Sequence, residues 1–207
     1  NSTIIDQNQN LWKVKLKTAG KHYMKNAAAL LTLVSSLNLD LSKAILALQS
    51  WSPLAGRGQV LEVKLKASNC NKIIHLIDES YNANPSSVKS SLETLACIFT
   101  NKKVKGEDNR RIAVLGDMLE LGFSEIQEHV NISKFARLDK IDKIYCVGSR
   151  MKKLFDVLPY SKQGYWTETA EEMQHVLVNK LENGDIIMIK GSFSMGMKTI
   201  VNKLKNI

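Results

Sequence analysis

From about residue 60 onward, short apolar runs alternate with amphipathic stretches. KIIHLID (72–78), RIAVLG (111–116), KIYCVG (143–148) and DIIMIKG (185–191) are nearly continuous apolar runs of strand length. Runs of that kind predict strands buried on both faces. Between them the period lengthens. PSSVKSSLETLACIF predicts a helix with Asn84 as its cap and Pro85 at its first position, and with Val88, Leu92, Leu95 and Phe99 on one face. SEIQEHVNISKFA opens with Ser124 and Gln127 at capping-box spacing, and Thr169 and Glu172 repeat that spacing before MQHVLVNKL. Gly184 is expected to close this last helix. A short helix around MKKLFDVL and a final one over MGMKTIVNKL complete the alternation. Apolar strands separated by amphipathic helices predict an α/β fold with a mostly parallel sheet covered on both faces.

Residues 1–57 have a different texture. LWKVKLK alternates like a strand, and two helical patterns follow, one over 26–37 and one with Ser42 as a plausible cap and Leu41, Ala44, Ile45 and Leu48 on one face. Pro53, Gly56 and Gly58 in WSPLAGRGQV then break the pattern, and a domain boundary is expected there, dividing 1–57 from 58–207.

In parallel sheets, ligands bind beyond the carboxyl ends of the strands. Polar clusters stand at those positions: DESYNAN after the first strand, GDMLELG after the second, GS after the third and KGSFS after the fourth. Asp78 and Glu79 are neighbours on a strand, so their side chains point to opposite sides and do not form an acid–base pair. One could accept hydrogen bonds from ribose hydroxyls or from a cation's water shell, and the other could cap a backbone amide. Asn82 and Asn84 suit tight turns. Asp117 and Glu120 follow a strand and a glycine and could equally belong to a solvated loop. His129 lies one helical turn beyond Glu125, could face solvent, and is either structural or catalytic. Lys190 ends a buried strand, where a charge needs a partner. Gly191 lets backbone approach closely, and Ser192 and Ser194 precede a helix whose N-terminus could hold a carboxylate or phosphate. In the front segment, His22 and Asn26 share a face if the helix begins early, and Arg57, between two glycines, can reach a phosphate.

Composition alters this picture little. The net charge of +9 comes from lysines spread along the chain, and the densest patch, NKKVKGEDNRR (101–111), mixes signs. A solvated surface explains that better than nucleic-acid binding, though a phosphate-bearing small ligand is compatible with it. No apolar run is long enough to span a bilayer, and the first residues lack the pattern of a signal peptide. Cys70, Cys97 and Cys146 are scattered, with no pair spacing for a disulfide framework or zinc. Cys97 and Cys146 sit in apolar patterns and are expected to be buried thiols, and a reducing cytoplasm is the expected setting.

DESYNANPSS, then AVLGDMLELG with a histidine seven residues after it, then KGS, together resemble the Mur ligase family. GKHYMKNAAA and AGRGQV resemble two further segments of that family, with Lys21 and Tyr23 departing from its usual Arg and Asn. The resemblance runs in order from about Gly20 to the end. It implies a Rossmann-like C-terminal domain over 58–207, with 1–57 the helical tail of a P-loop ATPase domain. It also implies an ATP- and Mg2+-dependent ligation that joins D-Ala-D-Ala to UDP-N-acetylmuramoyl-tripeptide through an acyl phosphate. His22, Asn26, Arg57, Asp78 and Glu79 are expected at the nucleotide, Glu79 standing where the family more often has Asp. Arg57 and His129 are the catalytic candidates. Ser80, Tyr81, Asn82, Asn84, Lys190, Ser192 and Ser194 are expected at D-Ala-D-Ala.

No G-x-x-x-x-G-K-[ST] occurs in the 207 residues, so nothing in them is expected to cradle a triphosphate. The chain therefore reads either as part of the ligase that needs a P-loop-bearing portion, such as a separately encoded one, or as a non-catalytic domain that binds nucleotide or dipeptide.

Overall fold

The computed structural model describes residues 2–5, 11–18, 20–67, 70–98 and 109–206. Phe99, the basic patch over 101–108 and the side chain of Cys70 lie outside the described residues. The chain divides into two compact units, Asn1–Pro53 and Leu54–Ile207.

In the first unit, β1 (Ser2–Ile5) pairs antiparallel with β2 (Leu11–Val14). The first helix, α1, spans Lys21–Ser36 and so begins five residues before the expected 26. Gly20, at φ 134°, turns the chain into it, a conformation that glycine adopts without strain. Ala27 and Leu31, one helical turn apart, are its buried residues. Helix α2 spans Leu41–Ser50. Its cap is not Ser42 but Asp40, whose carboxylate accepts the Lys43 N–H at 3.1 Å. Asp40 lies beyond the apolar period, where the helical pattern alone does not point. The expected inner face of α2, Leu41, Ala44, Ile45 and Leu48, is the more buried one.

The second unit is built on a six-stranded sheet in the order β3-β4-β8-β5-β6-β7. The apolar runs become β4 (Cys70–Glu79), β5 (Arg111–Gly116), β6 (Lys143–Val147) and β8 (Ile186–Lys190). Two further strands carry no continuous apolar run: β3 (Gln59–Ala67), antiparallel to β4 at one edge, and β7 (Gln163–Thr167), parallel to β6 at the other. The rest of the sheet is parallel. Helices α3 (Pro85–Cys97), α4 (Glu125–Asn131) and α5 (Ser149–Val157) alternate with the strands up to β7. Helix α6 (Ala170–Lys180) then leads back to β8, and α7 (Lys198–Lys205) follows.

Successive strand residues face opposite sides, and two cores result. Ala113, Leu115, Ile144, Cys146 and Met188 pack with Val88, Leu92 and Leu95 of α3 and Met151 and Leu154 of α5. Ile112, Val114, Val147, Ile187 and Ile189 pack with Met173 and Leu177 of α6 and Ile200, Val201 and Leu204 of α7. Right-handed crossovers explain the division: the connection through α6 runs back across the sheet, so it must cover the other face.

Several expected end signals differ. Asn84 caps α3 as predicted, in a reciprocal box in which its side chain accepts the Ser87 N–H at 2.8 Å and the Ser87 hydroxyl accepts the Asn84 N–H at 3.0 Å. Thr169 caps α6 by accepting the Glu172 N–H at 3.2 Å, while the Glu172 carboxylate takes the N–H of Glu168 rather than that of Thr169. Ser124 does not cap α4; its hydroxyl donates to the Leu121 carbonyl, because a 3-10 turn over Gly122–Ser124 already leads into the helix. Gly184 does not close α6, which ends at Lys180; at φ 90° it turns the loop into β8. Cys146 is buried, and burial pushes its thiol far up. Cys97 is exposed instead, at the last turn of α3, with an Arg137 N–H on its sulfur at 2.8 Å.

Candidate functional site at the carboxyl edge of the sheet

The helix after β4 covers one face and the helix after β8 the other, so the crevice beside β8 is the switch point where such sheets bind ligands. The clusters after β4, β5 and β8 meet there. Glu79 and Lys190 are register partners across the two parallel strands. Lys190 is 3% exposed. Its ammonium donates to the Asn82 carbonyl at 2.9 Å and to the Glu79 carboxylate at 3.2 Å. Burial pushes the Lys190 ammonium below the ordinary lysine value, and Glu79 opposes that.

Asp78 is buried and faces the other way from Glu79. One of its oxygens accepts the Gly56 N–H at 3.0 Å, and the other accepts the Ser80 hydroxyl at 2.6 Å and the Ser80 N–H at 3.2 Å. The Lys205 ammonium stands 3.9 Å away. Asp78 and Ser80 thus hold the segment 54–58 against the loop after β4. The Tyr81 N–H donates to the Gly56 carbonyl at 3.0 Å. Gly56 has φ +79°, and a Cβ there would stand 3.0 Å from the Tyr81 Cβ. The exposed Arg57 guanidinium in that turn lies 4.0 Å over the Tyr81 ring, an arrangement that favours arginine over lysine. Phe193 packs on the same tyrosine at 5.9 Å between ring centroids.

The loops after β5 and β8 are joined. The Ser192 hydroxyl accepts the Leu119 N–H at 2.8 Å, and the Ser192 N–H donates to the Asp117 carbonyl at 3.0 Å. Gly116 and Gly191 touch backbone to backbone: a Cβ on Gly191 would stand 3.0 Å from the Gly116 Cα. The Asp117 carboxylate is buried and accepts the N–H groups of Arg150 at 3.2 Å and Met151 at 2.7 Å, so it caps the N-terminus of α5.

His129 departs furthest from its sequence reading. It does not face solvent: its exposure is 0%. Its Nε2 accepts the Met118 N–H at 2.9 Å, and its Nδ1–H donates to the Glu125 carbonyl at 2.6 Å. Both ring nitrogens are engaged, which leaves none to move a proton for a substrate and fixes the loop after β5 instead.

Asn82, Asn84 and Ser194 are exposed, and Asn84 serves as the cap of α3. His22 and Asn26 belong to the first unit, one turn apart on α1, with the His22 ring 3.9 Å from that of Tyr23. Among the described residues no group of three or more His, Cys, Asp or Glu gathers to hold a metal ion, and no helix is long and apolar enough to cross a membrane. Phe193 is the site residue that the polar-cluster reading passed over. Its only signal was an aromatic between two serines at a strand end.

A six-stranded, mostly parallel sheet covered by helices on both faces, with polar loops converging at a switch point, defines a doubly wound α/β domain. Residues 62–193 match the family described as "Mur ligase, glutamate ligase domain", and the chain belongs to the Mur ligase family. It is 25% identical over 182 residues to the UDP-N-acetylmuramoyl-tripeptide–D-alanyl-D-alanine ligase of Rickettsia prowazekii, covering 88% of this chain and 37% of that one. It is 29% identical over 193 residues to the protein of the same name from Buchnera aphidicola, covering 92% of this chain and 38% of that one. The chain therefore spans well under half the length of these curated relatives. The crystal structure of MurF ligase from Thermotoga maritima in complex with ADP superposes with a TM-score of 0.76 at 22% identity, over 95% of this chain and 41% of that one. A MurF structure from Acinetobacter baumannii superposes at 0.73 with 25% identity, over 96% and 41%.

Proposed function

We propose that this chain supplies the C-terminal portion of an ATP-dependent ligase that joins D-Ala-D-Ala to UDP-N-acetylmuramoyl-tripeptide. The observation that carries the reading is the convergence of Arg57, Glu79, Tyr81 and Lys190 at the switch point. Residues 58–207 form the ligase's C-terminal domain in this reading, and 1–57 are the end of its central ATPase domain. ATP would transfer its γ-phosphoryl group to the tripeptide carboxylate with ADP leaving, and the dipeptide amine would attack the acyl carbon and release inorganic phosphate.

The residues of this chain bind and orient. Arg57, stacked on Tyr81, offers its guanidinium to the nucleotide's phosphates, and the Glu79 carboxylate offers acceptors to ribose hydroxyls. Tyr81, Asn82, Lys190 and Ser194 face the dipeptide. Asp78, Ser80, Asn84, Ser192 and His129 shape the loops from within. Magnesium is expected with ATP in the complete enzyme, and no part in holding it is assigned to the described residues. A cytoplasmic location follows from the substrates.

Mixing this chain with a separately prepared P-loop-bearing portion tests the proposal. Phosphate release that needs both portions, UDP-N-acetylmuramoyl-tripeptide and D-Ala-D-Ala is expected. Binding of D-Ala-D-Ala without turnover in the mixture would favour a binding domain alone. Turnover by this chain alone, or no binding of dipeptide or nucleotide, would overturn it.

A further inference from the structure

Four acidic residues stand at the end of β4 or just after β5 at the carboxyl edge: Asp78, Glu79, Asp117 and Glu120. Three are engaged. Asp78 holds Gly56 and Ser80, Glu79 pairs with Lys190, and Asp117 caps α5. Glu120 is exposed and has no hydrogen bond or ion pair among the described residues. It also sits at φ 63°, in the left-handed region. A glutamate there is strained where a glycine would not be. The same loop uses glycine for that conformation two residues later, at Gly122 with φ 61°. The two preceding residues have their backbone N–H groups held by acceptors from elsewhere: Met118 by buried His129 and Leu119 by buried Ser192. The Leu119–Ser192 bond also sets neighbours together. Glu120 stands one residue from it on one loop, and Phe193 one residue from it on the other. Phe193 is 73% exposed and continues into the Tyr81 ring.

We infer that Glu120 receives the ammonium group of the incoming dipeptide, and that the Phe193–Tyr81 pair forms the apolar surface for its methyl side chains. An exposed, unpaired carboxylate one residue from the Leu119–Ser192 bond, with an exposed aromatic pair starting one residue from it on the other loop, complements a small zwitterionic peptide with short apolar side chains. Glu79 cannot serve as well, because its charge is answered by Lys190. The inference rests on the proposed dipeptide site and adds to it the groups that read the amine end.

Binding is measured by calorimetry on the full chain with two probes, D-Ala-D-Ala and N-acetyl-D-Ala-D-Ala, which lacks the ammonium. The wild type should prefer the free amine by about tenfold, as a charge-assisted hydrogen bond is worth. Glu120→Gln should bind both probes alike, and Phe193→Ala should weaken both to a similar degree. Glu120→Gly should lose the preference and raise Tm by about 2 °C through relief of strain. A Glu120→Gln protein that keeps the wild-type preference overturns the inference while leaving the dipeptide site standing. A wild type that binds neither probe overturns both. A Glu120→Gly protein with unchanged or lower Tm removes the argument that the carboxylate is held against strain.

Discussion

Replacing Asp78 by alanine separates a ligand-binding carboxylate from a structural one. The side chain is buried and accepts from three donors: the Gly56 N–H at 3.0 Å, the Ser80 N–H at 3.2 Å and the Ser80 hydroxyl at 2.6 Å. Alanine leaves all three without that acceptor, and an orphaned buried donor costs about 1–3 kcal/mol. Removal of the carboxylate also relieves its own desolvation, so a net loss of about 3 kcal/mol is expected. For a chain of this size that corresponds to a Tm lower by roughly 6–12 °C. Asp78→Asn keeps one acceptor oxygen but turns an N–H toward a donor, and about half the loss is expected. The assay is urea unfolding followed by Trp166, the only tryptophan of the second unit, whose indole N–H donates to the Gly148 carbonyl at 2.9 Å. Trp12→Phe and Trp51→Phe remove the first unit's signal. A loss below about 1 kcal/mol, accompanied by lost nucleotide binding, would refute this reasoning and return Asp78 to the ribose.

His129→Ala should destabilise the second unit by about 3–5 kcal/mol, through a cavity and the orphaned Met118 N–H; in the same urea assay, a loss under about 1 kcal/mol would show that the ring does not pin the loop. Gly148→Ala should destabilise by at least about 2 kcal/mol, because the position has φ +102° and a Cβ would lie 2.5 Å from the Asp117 carboxyl carbon; thermal melting checks it. Burial holds Lys190 below the ordinary lysine value of about 10.4. Between that lowered value and about 10.4 the unfolded chain binds more protons than the folded one, so this group makes stability rise with pH there. The stability difference between wild type and Lys190→Met, followed from pH 7 upward, should shift in favour of the wild type in that alkaline window, and a shift the other way would refute the burial argument.

The sheet was legible wherever burial on both faces forced an unbroken apolar run, as in β4, β5, β6 and β8. Strand β3 was not read, although VLEVKL alternates cleanly: Val63 and Leu65 are buried, Glu62 and Lys64 exposed. Edge position gives it one wet face, and that removes the continuous run. QGYWT of β7 is five residues long and only half buried, too little signal for either period. Helix starts were readable where cap and helix share a few residues, as at Asn84 and Thr169, and failed at Ser124 and Ser42.

The site was legible as an address but not as a division of labour. Polar clusters at strand ends follow from topology. Which of their side chains are already occupied depends on partners far away in sequence: Gly56 for Asp78, Met118 for His129, Leu119 for Ser192. Local spacing cannot report those bonds. The Glu79–Lys190 pair is the intermediate case, since parallel register would place them side by side once strand order was known.

Strand β3 has a consequence for how copies of this protein meet in concentrated solution. It is nine residues long and lies at the edge of the sheet, the kind of strand that recruits strands from other molecules. Its outward face carries Glu62 and Lys64 side by side in the middle of the run, and each would lose its hydration if a second sheet extended this one. The opposite edge, β7, is short, and its pairing with β6 slips in register, which spoils it as a template. Neutralising Glu62 and Lys64 together would leave the fold's interior untouched and turn a guarded margin into an adhesive one.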